Sequence, residues 1–223
     1  MSPGAATEPR PVPTVDLAAI ARALDCDLGA AFAQLEALYA EVDARNARNT
    51  RGLDLPCHRG CSMCCHESVF LTGLEFFYAW HHVQATCSDA TRSEIVSRGL
   101  ALYRQHQPLI DAFDAPPADG AADHFTAAQK LRFACPLLAS DGGCRVYPAR
   151  ELLARLFGCS FNDDGGVYGC HIVGNHLGGK TVTLTRARPM AQRLGELPLT
   201  EKRQVYPYWI HLLYGPTANN AQG

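Results

Sequence analysis

The densest chemistry in the chain is Cys57-His58-Arg59-Gly60-Cys61-Ser62-Met63-Cys64-Cys65, which gathers four of the ten cysteines into one short run. Thiolate sulfur is a ligand for zinc and for iron-sulfur clusters. The C-x3-C-x2-C spacing lets three sulfurs face one point if the backbone curls around it, and Gly60 supplies the conformational freedom for that curl. Inert core thiols sit among aliphatic neighbours, whereas these are flanked by His58, Arg59, Gly60 and His66. A ligating thiol must lose its proton, which the adjacent Arg59 or the metal itself favours. The run is therefore expected to bind metal rather than to form disulfides or lie inert.

A second group follows at Cys135, Cys144, Cys159 and Cys170. Its C-x8-C-x14-C-x10-C spacing matches no compact zinc finger. The Asp141-Gly142-Gly143 turn is expected to fold the chain back and bring the sulfurs of Cys135 and Cys144 together. The expected metal ligands are thus Cys57, Cys61, Cys64, Cys65, Cys135, Cys144, Cys159 and Cys170. Neighbours in sequence seldom aim at one metal, so either Cys64 or Cys65 is expected to turn toward a second site or to support the first. His171 and His176 are further candidates for a mixed site. Cys26 and Cys87 read as spare thiols, and His81 and His82 as ordinary helix residues.

Composition narrows the setting. The 223 residues are 47% hydrophobic and 19% charged, with a formal net charge of -2, which argues against nucleic-acid or anionic-membrane binding by bulk charge. No apolar run is long enough to span a bilayer and no signal-like segment opens the chain, so a cytoplasmic protein is expected. The cytosol keeps thiols reduced, which again favours ligands over disulfides.

These residues must be held by surrounding elements. Apolar positions from Leu17 to Val42 recur at helical spacing over Asp16 to about Asn46, with a break near Asp25-Cys26-Asp27. Thr72-Gly73-Leu74-Glu75 is a capping box that starts a helix ending near Cys87, whose apolar face is expected to cover the first cysteine run. Ser88-Asp89 caps a helix to about Phe113, broken at Pro108. A linker loop is expected at 115–120 and a weak helix at 125–131. Pro148 is placed in the first turn of a helix through Leu156, leaving Cys159 just past its end beside Gly158. Lys180 to Arg186 alternates like a strand, and Thr200 to about Leu213 reads as a closing helix. The fold class expected is mainly α with a small β element, an irregular metal-stapled single domain over 14–216, between flexible tails at 1–13 and 217–223.

Two motifs compete for attention. Gly174-Asn175-His176-Leu177-Gly178-Gly179-Lys180-Thr181 satisfies the phosphate-binding pattern G-x-x-x-x-G-K-[ST], whose mechanism needs a strand before the loop and a helix after it. The β-branched residues that follow instead predict that these glycines form the turn of a hairpin. The Cys57, Cys61, Cys64 triplet also has the spacing with which radical S-adenosylmethionine enzymes hold a 4Fe-4S cluster. Those enzymes continue into a partial (β/α) barrel, whereas the chain after Cys65 reads as helices and loops.

Taken together, C-x3-C-x2-CC, Leu71-Thr72 with Glu75, Cys135-Pro-Leu-Leu, Cys144-Arg-Val-Tyr and a helix bearing Arg150 and Arg155 resemble the YkgJ-like cysteine-cluster family of zinc- or iron-chelating domains. The similarity covers roughly Cys57 to Cys170. Where that family reads Arg-Pro-x-x-Cys-Arg, this chain reads Arg150-Glu151-Leu152-Leu153-Ala154-Arg155, so one ligand is missing and Cys159 and Cys170 are the residues left to compensate. The resemblance implies a bound metal. One branch, similar to flagellin lysine-N-methylases, couples such a cluster to S-adenosylmethionine-dependent methyl transfer. The expected function is a 4Fe-4S cluster held by Cys57, Cys61 and Cys64, with a fourth ligand from Cys65 or the second group, serving electron transfer or substrate binding. The alternatives are a zinc-binding structural or metal-handling protein and a methylase-like enzyme. The expected partners are a metal ion or cluster and an unidentified redox or protein partner, with no nucleic acid and no membrane.

Overall fold

The computed structural model describes residues 11–58, 60–113 and 131–219. The linker loop expected at 115–120 and, apart from Leu131, the weak helix at 125–131 lie outside these residues, as does Arg59.

The N-terminal part follows its sequence signals closely. α1 (Leu17–Ala23) is capped by Asp16, whose carboxylate accepts the Ala19 N–H, and α2 (Leu28–Asn49) is capped in the same way by Asp27 on Ala30. The break falls at Asp25, which adopts a positive φ of 55°. Leu35, Leu38, Tyr39, Val42 and Asn46 form the buried face of α2.

β1 (Phe70–Thr72) leads directly into α3 (Gly73–Thr86) through the expected capping box: the Glu75 N–H donates to Thr72 Oγ1, and the Thr72 N–H donates to Glu75 Oε2. α3 ends at Cys87. α4 (Asp89–Ala112), capped by Ser88, runs without interruption through Pro108. The lost backbone bond is outweighed by burial on both sides of it, at Tyr103 and Ile110.

The C-terminal segment departs from the expected single helix. Arg203–Val205 is a strand, β5, paired antiparallel with β1 in the register Phe70 to Val205, and only then does α8 (Tyr206–Asn219) begin. Backbone pairing with β1 captures residues whose side chains alone read as helical. α8 lies along α4, and Phe76 of α3 is stacked between Trp80 and Trp209 at ring separations of 5.7 and 5.8 Å. This aromatic stack is the centre of the main core.

The remaining elements are short. A 3-10 turn spans Met63–His66 and another spans Tyr147–Ala149, the latter carrying Pro148 in its first turn. The helix expected through 149–156 is divided here: Arg150 is extended, and α5 covers only Leu152–Leu156. β2 (Ser160–Phe161) pairs antiparallel with β3 (Val167–Tyr168) and parallel with β4 (Thr185–Arg186). The strand expected over 180–186 is thus confined to its last two residues. The hairpin expected at Gly174–Thr181 is absent: α6 (His171–Leu177) occupies its first half, and Gly179 at φ 75° turns the chain after it. α7 (Ala187–Gly195) packs on α2. The described chain is mainly helical with two small sheets, and among the described residues no helix is long and apolar enough to cross a membrane.

Candidate metal centre

Three chain segments deliver the cysteines. In the first, Gly60 takes φ 90° as its position demands, the Cys61 N–H bonds to the His58 carbonyl, and the 3-10 turn closed by the Cys65 N–H on Ser62 presents Cys64 and Cys65. In the second, the Asp141-Gly142-Gly143 turn folds back as expected, with Leu138 bridging Cys144 and the Ala139 N–H donating to the Gly143 carbonyl. In the third, Cys159 follows α5 beside Gly158, and Cys170 immediately precedes α6.

Backbone contacts lock these segments together. The Cys135 N–H donates to the Cys65 carbonyl at 2.7 Å, which ties the second cysteine group to the first. A Cβ at Gly142 would lie 2.8 Å from the Gly60 carbonyl oxygen, so the two loops touch where only glycine fits. A Cβ at Gly158, which has φ 79°, would lie 3.5 Å from Cys57 Sγ. Cys57 is exposed as a residue, but its sulfur lies against the third segment.

The electrostatics sort the thiols into two sets. Crowding by the surrounding chain raises the Cys57 thiol to about 11, and its charged form is further opposed by Cys159, Cys61, Cys170 and Cys64. Cys65 belongs to the other set: its thiol donates to Cys64, which with burial holds its pKa far up, and Cys135 and Cys144 add to the shift. Burial likewise raises Cys135, and raises Cys144 to about 11. Cys64 stands between the sets and is the acidic member of its pair, lowered to about 7 by the hydrogen bond from Cys65, against burial and with help from Arg150. All eight cysteines expected as ligands therefore fall into one region, the first set around Cys57 and the second around Cys65. All ten are free thiols, and among the described residues no three His, Cys, Asp or Glu side chains already converge on one ion-sized point.

The spare thiols and the candidate histidines have other surroundings, except that His171 directly follows Cys170. Cys26 packs in the core beneath α2, and Cys87 packs against the aromatic core. His171 is exposed, and His176 Nε2 bonds the Leu53 carbonyl at 2.7 Å, so its ring is engaged with backbone. Lys180 Nζ lies 3.3 Å from that same nitrogen, and a helix precedes the loop, the reverse of the order a phosphate-binding loop requires.

Sequence reasoning missed the polar framework beneath the thiols. Among the described residues, Arg150 is a cation whose charge favours thiolates at Cys64, Cys144 and Cys159. Its guanidinium lies 4.1 Å above the Tyr147 ring, and its Nε is buried with no hydrogen-bond partner among the described residues. Glu75, only 2% exposed, does more than cap α3: it also accepts the Leu152 N–H at 2.8 Å and the Tyr39 hydroxyl at 3.2 Å. Glu151 accepts the Tyr206 hydroxyl at 2.8 Å. Arg155 holds Asp43 and the carbonyls of Pro148 and Arg150 while stacking on Tyr39. The sequence signals for this framework were Glu75, in the capping box and the family-like pattern, and the pair Arg150 and Arg155 in the family-like stretch.

No protein-family model matches the chain, and no curated protein or solved structure is significantly similar to it.

Proposed function

We propose that this chain is a cysteine-cluster protein that binds metal through the two thiol sets, with a 4Fe-4S cluster held by Cys57, Cys61 and Cys64 for electron transfer or substrate binding. The supporting observation is the gathering of eight thiols from three segments distant in sequence, while Cys26 is buried in a core and Cys87 lies at the end of α3. Crowding neutral thiols has no packing advantage over aliphatic side chains, whereas a bound cation would offset the burial and mutual repulsion of the thiolates that hold it. Cys159 and Cys170 are the available fourth ligands of the first set, in keeping with the resemblance to the YkgJ-like family. Arg150 would steady the anionic sulfurs of both sets from their common side. A bound cluster supplies one-electron transfer or an open iron coordination position.

Zinc is the second reading, and one observation favours it for the set around Cys65. Cys64, Cys65, Cys135 and Cys144 number four sulfurs, the count zinc takes in structural sites. The segment between Cys135 and Cys170 contains only short elements, the kind of structure that a zinc ion staples.

An anaerobic ultraviolet-visible spectrum, with iron, sulfide and zinc quantified on the same sample, tests both. A brown protein with near-equal iron and sulfide supports the cluster. A colourless protein with stoichiometric zinc overturns it in favour of zinc, and a metal-free protein after anaerobic purification and reconstitution overturns both.

A further inference from the structure

A second site lies where the end of α2 meets the start of α7. A cleft of about 340 Å³ is lined by Arg45, Arg48 and Arg186, with Asn49, Thr185 and Met190 among the residues of its wall. That volume is in the range of small-ligand sites. Three guanidinium groups on one cleft are notable in a chain whose net charge is -2. Arg45 is paired with Glu41 at 2.7 Å, but Arg48 and Arg186 make no ion pair or side-chain hydrogen bond among the described residues. No acidic residue stands in the first turn of α7 to neutralise Arg186.

The wall beneath these charges is ordered. The Thr185 hydroxyl donates to Asn46 Oδ1 at 2.8 Å and accepts from Asn49 Nδ2 at 3.3 Å, which leaves Asn49 a second amide proton. With one of the three arginines offset by Glu41, the cleft carries a net charge of about +2. A phosphomonoester near neutral pH carries nearly the opposite charge and offers three acceptor oxygens. Guanidinium groups match such oxygens with paired N–H donors.

We propose that this cleft binds the phosphate group of a small phosphomonoester, with Arg48 and Arg186 as its principal donors. Pro189, exposed beside the buried Met190, provides an apolar surface for the rest of the ligand. The site is independent of the metal reading, since none of its residues is a cysteine.

The test is isothermal titration calorimetry of the full chain with glycerol 3-phosphate and with inorganic phosphate, in a buffer free of other oxyanions and with glycerol as control. Both anions are expected to bind saturably at one site and glycerol not at all. Arg48→Ala and Arg186→Ala should each weaken binding about tenfold or more, as expected for loss of a charge-assisted contact, while exposed Arg104→Ala on α4 should not. Arg48 and Arg186 are both exposed, so the variants should melt like the parent protein. Failure of either anion to bind, or equal binding by the parent and both cleft variants, overturns the proposal. A phosphoserine peptide binding tenfold more tightly than glycerol 3-phosphate would also overturn it, by assigning the phosphate to a protein partner.

Discussion

At the scale of single residues, the roles of the cysteines divide sharply. Cys61→Ser should lose metal from the first set, whereas Cys26→Ser and Cys87→Ser should retain it, as measured by metal content per chain after anaerobic purification. Full retention by Cys61→Ser would remove the central assignment. Glu75 is the most heavily used carboxylate, serving Thr72, Tyr39 and Leu152. Glu75→Ala leaves buried donors unmet and should destabilise the fold by roughly 3–5 kcal/mol in urea denaturation. Glu151 titrates in the opposite sense to most carboxylates. Burial, with the Glu75 charge adding to it, raises its pKa, so the folded protein holds a proton that the unfolded chain would release. Its contribution to stability is full below the ordinary carboxylate range and falls as pH rises through the raised value. Glu151→Gln keeps an acceptor for Tyr206 and should flatten this dependence, with a higher melting temperature than the parent at pH 8 and a smaller difference at pH 4. The candidate thiols were legible because a thiol's chemistry is written in its identity and spacing. The roles of Glu75 toward Leu152 and of Arg150 toward the thiols were not, because they depend on contacts between segments that no local pattern encodes.

At the scale of elements, local chemistry predicted the N-terminal helices better than the C-terminal elements. Thr72 and Ser88 cap the helices their types announced, and Asp16 and Asp27 cap α1 and α2 at the expected start and break, since an N-cap bond reaches only two or three residues along the chain. Pro108 and Arg203–Val205 were misjudged for a common reason: both are governed by neighbours remote in sequence, the first by packing and the second by pairing with β1. The contact between α4 and α8 offers a sensitive probe. A Cβ at Gly99 would come within 2.5 Å of Ile210 Cδ1 and 2.9 Å of its Cγ2. Gly99→Ala improves helix propensity, yet it should destabilise the protein by about 1–3 kcal/mol through overpacking. Ile210→Val, which removes the nearest atom, should recover part of that loss, and a double-mutant cycle in urea would reveal the coupling.

At the scale of the whole molecule, the thiol region and the aromatic core are distinct in construction. The core is built mainly from α3, α4 and α8, with Leu137, Val146 and Ala149 of the second thiol segment joining it and Cys135 and Cys144 packed against it, whereas the other thiols rest on turns, a five-residue helix and two-residue strands. If the proposed metal is bound, removing it with a chelator should raise amide hydrogen exchange over 57–66 and 158–170 while leaving α4 and α8 protected. Uniform loss of protection would show that the two regions unfold as one. The pairing of Phe70 with Val205 also sets a timetable. On a ribosome adding roughly 5–20 residues each second, β1 emerges roughly 7–27 s before the strand that completes it. Throughout that interval the first four thiols are outside the tunnel with their sheet edge open and the closing helix not yet made. The nascent chain is thus the form in which Cys57 to Cys65 are most accessible to whatever would deliver the proposed metal.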